Sequence, residues 1–113
     1  MKIRSFRVYP RSIFLKPIFL EMPYTHISIL ENFWFVYALR NLSKDFLYIG
    51  STNSLERRFT EHNNGLLQST KAYRPLTIAA FIGVETEQKA RELEKYFKTG
   101  SGKAILKKRF LIE

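Results

Sequence analysis

Residues 34–65, WFVYALRNLSKDFLYIGSTNSLERRFTEHNNG, decide how the chain is built. Phe33 to Arg40 is almost entirely aromatic, β-branched or aliphatic, a composition that suits a pleated, half-buried surface and predicts a strand. Phe46 to Gly50 is a second short run of the same kind. The polar stretch Asn41-Leu42-Ser43-Lys44-Asp45 between them has the length of a hairpin connection. A turn centred on Leu42 and Ser43 sets Tyr37 directly across from Tyr48 on one face, and a slip of one residue would send the two rings to opposite faces. Taken alone, the pair reads as cross-strand packing, which contributes up to about 1 kcal/mol.

Beyond Gly50, Asn53 with Glu56 three residues later reads as a helix N-cap and its capping-box partner. Leu55 and Phe59 mark a buried stripe. Arg58 and His62 form a second pair one turn apart beside it, and Asn64-Gly65 supplies a left-handed stop. Arg57, four residues before Glu61, points outward. An arginine one turn from an imidazole can grip a phosphate, although a solvated helix face explains either residue singly.

In this order the motifs resemble the GIY-YIG nuclease superfamily, and in particular its small single-domain bacterial branch. The first family motif corresponds to Phe35-Val36-Tyr37, and the second is Tyr48-Ile49-Gly50 without change. The family's arginine on the first helix corresponds to Arg58, and the frequent His-Asn-x-Gly to His62-Asn63-Asn64-Gly65. Its catalytic glutamate corresponds to Glu94 within Ala90-Arg91-Glu92-Leu93-Glu94-Lys95-Tyr96-Phe97-Lys98. The match runs roughly over residues 33 to 109. Phe35 stands where the first motif has glycine. No asparagine follows Asn64, so the side-chain amide that some members place after the glutamate helix is vacant or replaced by a lysine such as Lys98.

The resemblance implies a metal-dependent endonuclease that hydrolyses phosphodiester bonds, of DNA in preference to RNA. It implies one divalent cation, Mg²⁺ or Mn²⁺, held by Glu94 and otherwise by water and substrate phosphate, with Arg58 neutralising charge on the phosphorane. Tyr37 or Tyr48 would orient or deprotonate the attacking water, and His62 is a rival for proton transfer. A module that holds nucleic acid without cutting it is the alternative.

Glu94 also stands out without the resemblance. Thr86 reads as the N-cap of a helix running to about Lys98, with Thr99-Gly100 ending it. Ala90, Leu93 and Phe97 mark its buried stripe, and Glu94 falls on the same stripe. A carboxylate there is costly unless it is paired or holds a metal. An ion pair with Lys98 at i+4 accounts for it; beside Tyr37, Tyr48 and Arg58 the metal-ligand reading is preferred.

Leu76 to Val84, with Pro75 before it, is a third strand. Strand, strand, helix, strand, helix and short helix imply an α+β domain with a small antiparallel sheet and flanking helices; the resemblance makes that sheet three-stranded. The 113 residues suit one domain, and the absence of cysteine excludes disulfides and thiol catalysis. Two histidines are too few for a histidine metal cage.

The net charge of +9 favours a polyanionic partner. Lys95, Lys98, Lys103, Lys107, Lys108 and Arg109 occur with no acid until Glu113, and Ser101 reads as the cap of a short last helix that displays several of them. The loop Gln68 to Pro75 mixes base, hydroxyl and aromatic groups and could follow a nucleic-acid backbone, with Tyr73 stacking on a base or packing under the loop. The expected nucleic-acid contacts are therefore Lys71, Tyr73, Arg74, Lys98, Lys103 and Lys107; a solvated basic face is the alternative.

Residues 1–31 read as a basic, loosely ordered extension or a start-site artefact with Met22 as the alternative start, and 32–113 as the domain. Pro10, Lys16 and Pro17 break the early apolar run, so it cannot span a membrane, and it lacks a signal-peptidase site. The expected location is the cytoplasm.

Overall fold

The computed structural model describes residues 32–112; the extension expected over 1–31 lies outside them. Strand β1 (Trp34–Asn41) occupies the middle of a three-stranded sheet of order β2-β1-β3, with β2 (Phe46–Thr52) and β3 (Thr77–Val84) both antiparallel to it. Being central, β1 is covered on both faces, so Val36, Tyr37, Ala38 and Leu39 are buried in succession. Val36, Ala38 and Ile49 of β2 pack on one side against Ala90, Phe97, Leu106 and Leu111 from helices α2 (Glu87–Phe97) and α3 (Gly100–Phe110) and the residue after them. Tyr37, Leu39 and Tyr48 face the other side, towards Leu55 and Phe59 of helix α1 (Leu55–Asn63) and Leu76. The α+β architecture with three antiparallel strands is as expected. Among the described residues no helix is long and apolar enough to cross a membrane.

The hairpin corrects the expected register. Tyr37 pairs with Gly50 and Leu39 with Tyr48, an offset of two from the direct Tyr37–Tyr48 pairing. The reason is a longer connection: Asn41 pairs with Phe46, Leu42–Lys44 forms a 3-10 turn, and Asp45 closes it in the left-handed region at φ 51°. The buried Asn41 side chain holds this turn, accepting from Ser43 Oγ at 2.8 Å and Lys44 N at 3.1 Å. It also donates to the carbonyls of Tyr73 and Pro75 at 2.7 and 3.2 Å. Because side chains alternate along a strand, an offset of two keeps both tyrosines on one face, as diagonal neighbours with ring centroids 6.2 Å apart.

Two caps also differ. Ser54, not Asn53, is the N-cap residue of α1, because Thr52 Oγ1 accepts Ser54 N–H at 3.0 Å and delays the turn, while Asn53 Oδ1 accepts from Arg57 at 3.2 Å. Thr99, not Ser101, caps α3, its Oγ1 accepting Gly102 N–H at 3.0 Å. Thr86 caps α2 as expected, accepting Lys89 N–H at 3.1 Å. α1 ends in a Schellman turn: Gly65 (φ 77°) donates to His62 O and Leu66 to Glu61 O, each at 3.1 Å. The Asn63 side chain then ties the end of α1 to the start of β3, accepting Leu76 N–H at 2.8 Å and donating to Leu76 O at 3.0 Å.

Candidate active site

The central strand places the Tyr37 hydroxyl over β2 at Gly50, where a Cβ would stand 2.6 Å from the oxygen. Only a residue without a side chain leaves that passage open, which gives the glycine of Tyr48-Ile49-Gly50 a physical reason. Past Gly50 the Tyr37 oxygen lies 2.9 Å from His62 Nε2, and His62 Nδ1 lies 2.7 Å from Thr70 Oγ1. His62 and Thr70 are both 0% exposed. Tyr48 completes the cluster, its ring centroid 5.0 Å from that of His62. α1 also carries Arg58, half-buried, donating to Glu61 Oε1 at 3.0 Å and hydrogen-bonding with the Tyr37 hydroxyl. Arg57 points outward to Glu61 at 3.2 Å.

The electrostatics follow from this packing. Burial, reinforced by Tyr48, pushes the Tyr37 hydroxyl up to about 12, against the opposing pull of Arg58. Burial, with Arg58 beside it, pushes His62 down to about 4, so the imidazole is neutral at neutral pH. Both ring nitrogens of His62 are engaged inside the protein, with Tyr37 and Thr70, whereas the Arg58 side chain one turn away is partly exposed. Arg58 itself is raised, chiefly by its hydrogen bond to Glu61.

Glu94 approaches from α2. Its Oε1 accepts from Ser51 Oγ at 2.5 Å and its Oε2 from Lys98 Nζ at 2.7 Å. Ser51 pairs with Val36, on the α2 side of the sheet, yet β2 is an edge strand and the Glu94 charge is felt at Tyr37. Partial burial works to raise the carboxyl, but Lys98, Ser51 and Arg91 together hold it below its ordinary value. It is therefore an ionised acceptor with lone pairs to spare. Among the described residues no group of three or more histidine, cysteine or acidic side chains converges. One ionised carboxylate suits a hard cation that keeps most of its waters, as Mg²⁺ does, and Lys98 would have to yield its place on Oε2.

The expected nucleic-acid contacts lie in the loop before β3, just after α2 and on α3. Tyr73 stacks on Phe46, ring centroids 3.8 Å apart and 3° from parallel. Arg74 folds back, donating to Lys71 O at 3.0 Å, while Lys71 is exposed beside it. Lys98 is engaged with Glu94. Lys103 and Lys107 are exposed on α3, which packs against the opposite face of the sheet from Tyr37. Thr70, Ser51 and Asn41, which support the site or its hairpin, were not singled out by sequence, and Asn63 entered only as part of the His-Asn-x-Gly motif. Thr70 lies in the loop that reads as a backbone track, eight residues beyond the histidine it touches, and no local periodicity marks it.

The chain also has relatives among known proteins. The chain is 35% identical over 69 residues to a UPF0213 protein of Vibrio campbellii, covering 60% of this chain and 65% of that one. It is 33% identical over 70 residues to a UPF0213 protein of Vibrio parahaemolyticus, covering 61% and 65%. The match thus spans a little under two thirds of either relative's length. Residues 33–109, which carry every group placed in the site, match the GIY-YIG catalytic domain, and the chain belongs to that family.

Proposed function

We propose that this chain is a divalent-metal-dependent endonuclease hydrolysing phosphodiester bonds of nucleic acid, DNA in preference to RNA. The observation that carries the reading is the convergence of Tyr48, Arg58 and His62 on the Tyr37 hydroxyl, with the Glu94 carboxylate around the edge of β2. Such a set serves proton transfer next to a charge that builds up and is neutralised. Arg58 is the half-exposed cation of the cluster and is fit to bind the scissile phosphate and offset charge on the phosphorane. Tyr37 in its phenolate form takes the proton of the attacking water, and Tyr48 orients that water. A bond forms from the water oxygen to phosphorus, the bond to the 3′ oxygen breaks and that oxygen takes a proton from solvent water, leaving a 5′ phosphate and a 3′ hydroxyl. A cation held by Glu94 would supply stabilisation of the leaving oxygen.

With the Tyr37 hydroxyl raised to about 12 in the free chain, few molecules carry the phenolate at neutral pH, so cleavage is expected to accelerate with rising pH. The deciding experiment is single-turnover cleavage of flap, branched, duplex and single-stranded substrates with Mg²⁺ and with Mn²⁺, beside a binding titration on the same labelled strands. Tight binding without cutting across that panel would replace the enzyme with a binding module on a nuclease fold.

A further inference from the structure

The buried Thr70–His62–Tyr37 chain has a direction. Among the described residues the Thr70 hydroxyl has one hydrogen-bond partner, His62 Nδ1. A hydroxyl at 0% exposure that merely accepted from the ring would leave its own proton buried against nothing. Donation to Nδ1 avoids this and fixes the rest of the chain. A neutral imidazole carries one proton, and His62 is held neutral by burial and by Arg58. With Nδ1 accepting, that proton is on Nε2, which faces the Tyr37 oxygen at 2.9 Å.

We infer that Thr70 is a positioning residue: by donating to His62 Nδ1 it makes His62 Nε2–H a donor to Tyr37, so that Tyr37 and not His62 takes the proton from water. The inference rests on the proposed nuclease reading for its last clause only. Arg58 has donors and no acceptor, so the Tyr37 oxygen receives from both Arg58 and His62 and its own proton is left to point into the site. Two fixed donors favour the phenolate form that the reaction needs. The ionisable groups facing Tyr37 are Tyr48 from β2, Arg58 and His62 from α1, and Glu94 from α2; none of them is replaced by changing Thr70.

The test uses Thr70→Val, which keeps the shape and deletes the hydroxyl, and Thr70→Ser, which keeps the hydroxyl. Long-range proton–nitrogen spectra of the imidazoles report the tautomer directly, and a His26→Asn chain assigns the signals of the two histidines. The expected result is Nε2–H with a hydrogen-bonded Nδ1 in the parent and in Thr70→Ser, and loss of the hydrogen-bonded Nδ1 signature in Thr70→Val. Single-turnover cleavage by Thr70→Val is expected to fall about tenfold, the order of one buried hydrogen bond. Its rising pH limb should also move to higher pH, with Thr70→Ser restoring both. A merely structural threonine would lower the rate without moving the limb. A parent chain with the proton on Nδ1, or a Thr70→Val chain whose pH limb is unmoved, overturns the inference. If the parent shows the Nε2–H tautomer but never cuts, the nuclease reading fails while the direction of the hydrogen-bond chain stands.

Discussion

Gly50 is the point where the Tyr37 hydroxyl crosses β2, and the smallest side chain would collide with it. Gly50→Ala is expected to push the hydroxyl off His62, destabilise the fold by about 1–3 kcal/mol through overpacking, and remove most cleavage; thermal melts and single-turnover rates check both. Glu94→Gln keeps the shape and removes the charge. It should abolish metal-dependent cleavage yet leave binding in EDTA nearly unchanged, and equal cleavage by this variant would assign the cation to another group. Arg58→Ala should stop cleavage with some loss of binding, and Tyr48→Phe should slow it at unchanged stability. Tyr37, Tyr48, Arg58 and Glu94 were singled out in the sequence through the resemblance that their motifs carry. Ser51 and Thr70 were not, since their partners lie 43 and eight residues away and only the packed fold brings them together.

Among the elements, strand and helix identities followed from composition and period, whereas register and caps depended on single polar side chains. Asn41 lengthened the hairpin connection and so shifted the pairing by two, and Thr52 moved the start of α1 by one. Neither choice is visible in hydrophobic pattern, because both are made by competing hydrogen bonds within a few residues. The junction between α1 and β3 depends on Asn63 in the same way. Asn63→Ala removes both bonds to Leu76 and leaves a buried residue's backbone groups without them. A loss of about 1–3 kcal/mol is expected, read as a lower urea midpoint. Thr86→Ala, which removes one exposed cap, should cost about 1 kcal/mol.

At the scale of the molecule, the buried His62 makes stability depend on pH. Its ring titrates at about 4 in the folded chain against an ordinary 6.5. Below 6.5 the unfolded chain takes up a proton that the folded chain refuses, so this contribution is intact above pH 6.5 and drains away as pH falls towards 4. Urea midpoints should therefore drop between about pH 7 and about pH 4.5, less steeply in a His62→Gln chain; equal slopes would place the loss elsewhere. The sheet and the loop after α1 are built differently. β1 is bonded to a strand on either side, while the segment from Gly65 to Pro75 is tied to the hairpin by side chains, through Asn41 to Tyr73 and Pro75 and Lys44 to Ala72. Amides of Val36 to Leu39 should thus exchange with solvent deuterium only through global unfolding, and those near Thr70 through local opening. Under the proposed reading, gentle heating leaves the Tyr37 oxygen in place while the residue that aims its neighbour departs, so cleavage should slow before the chain melts.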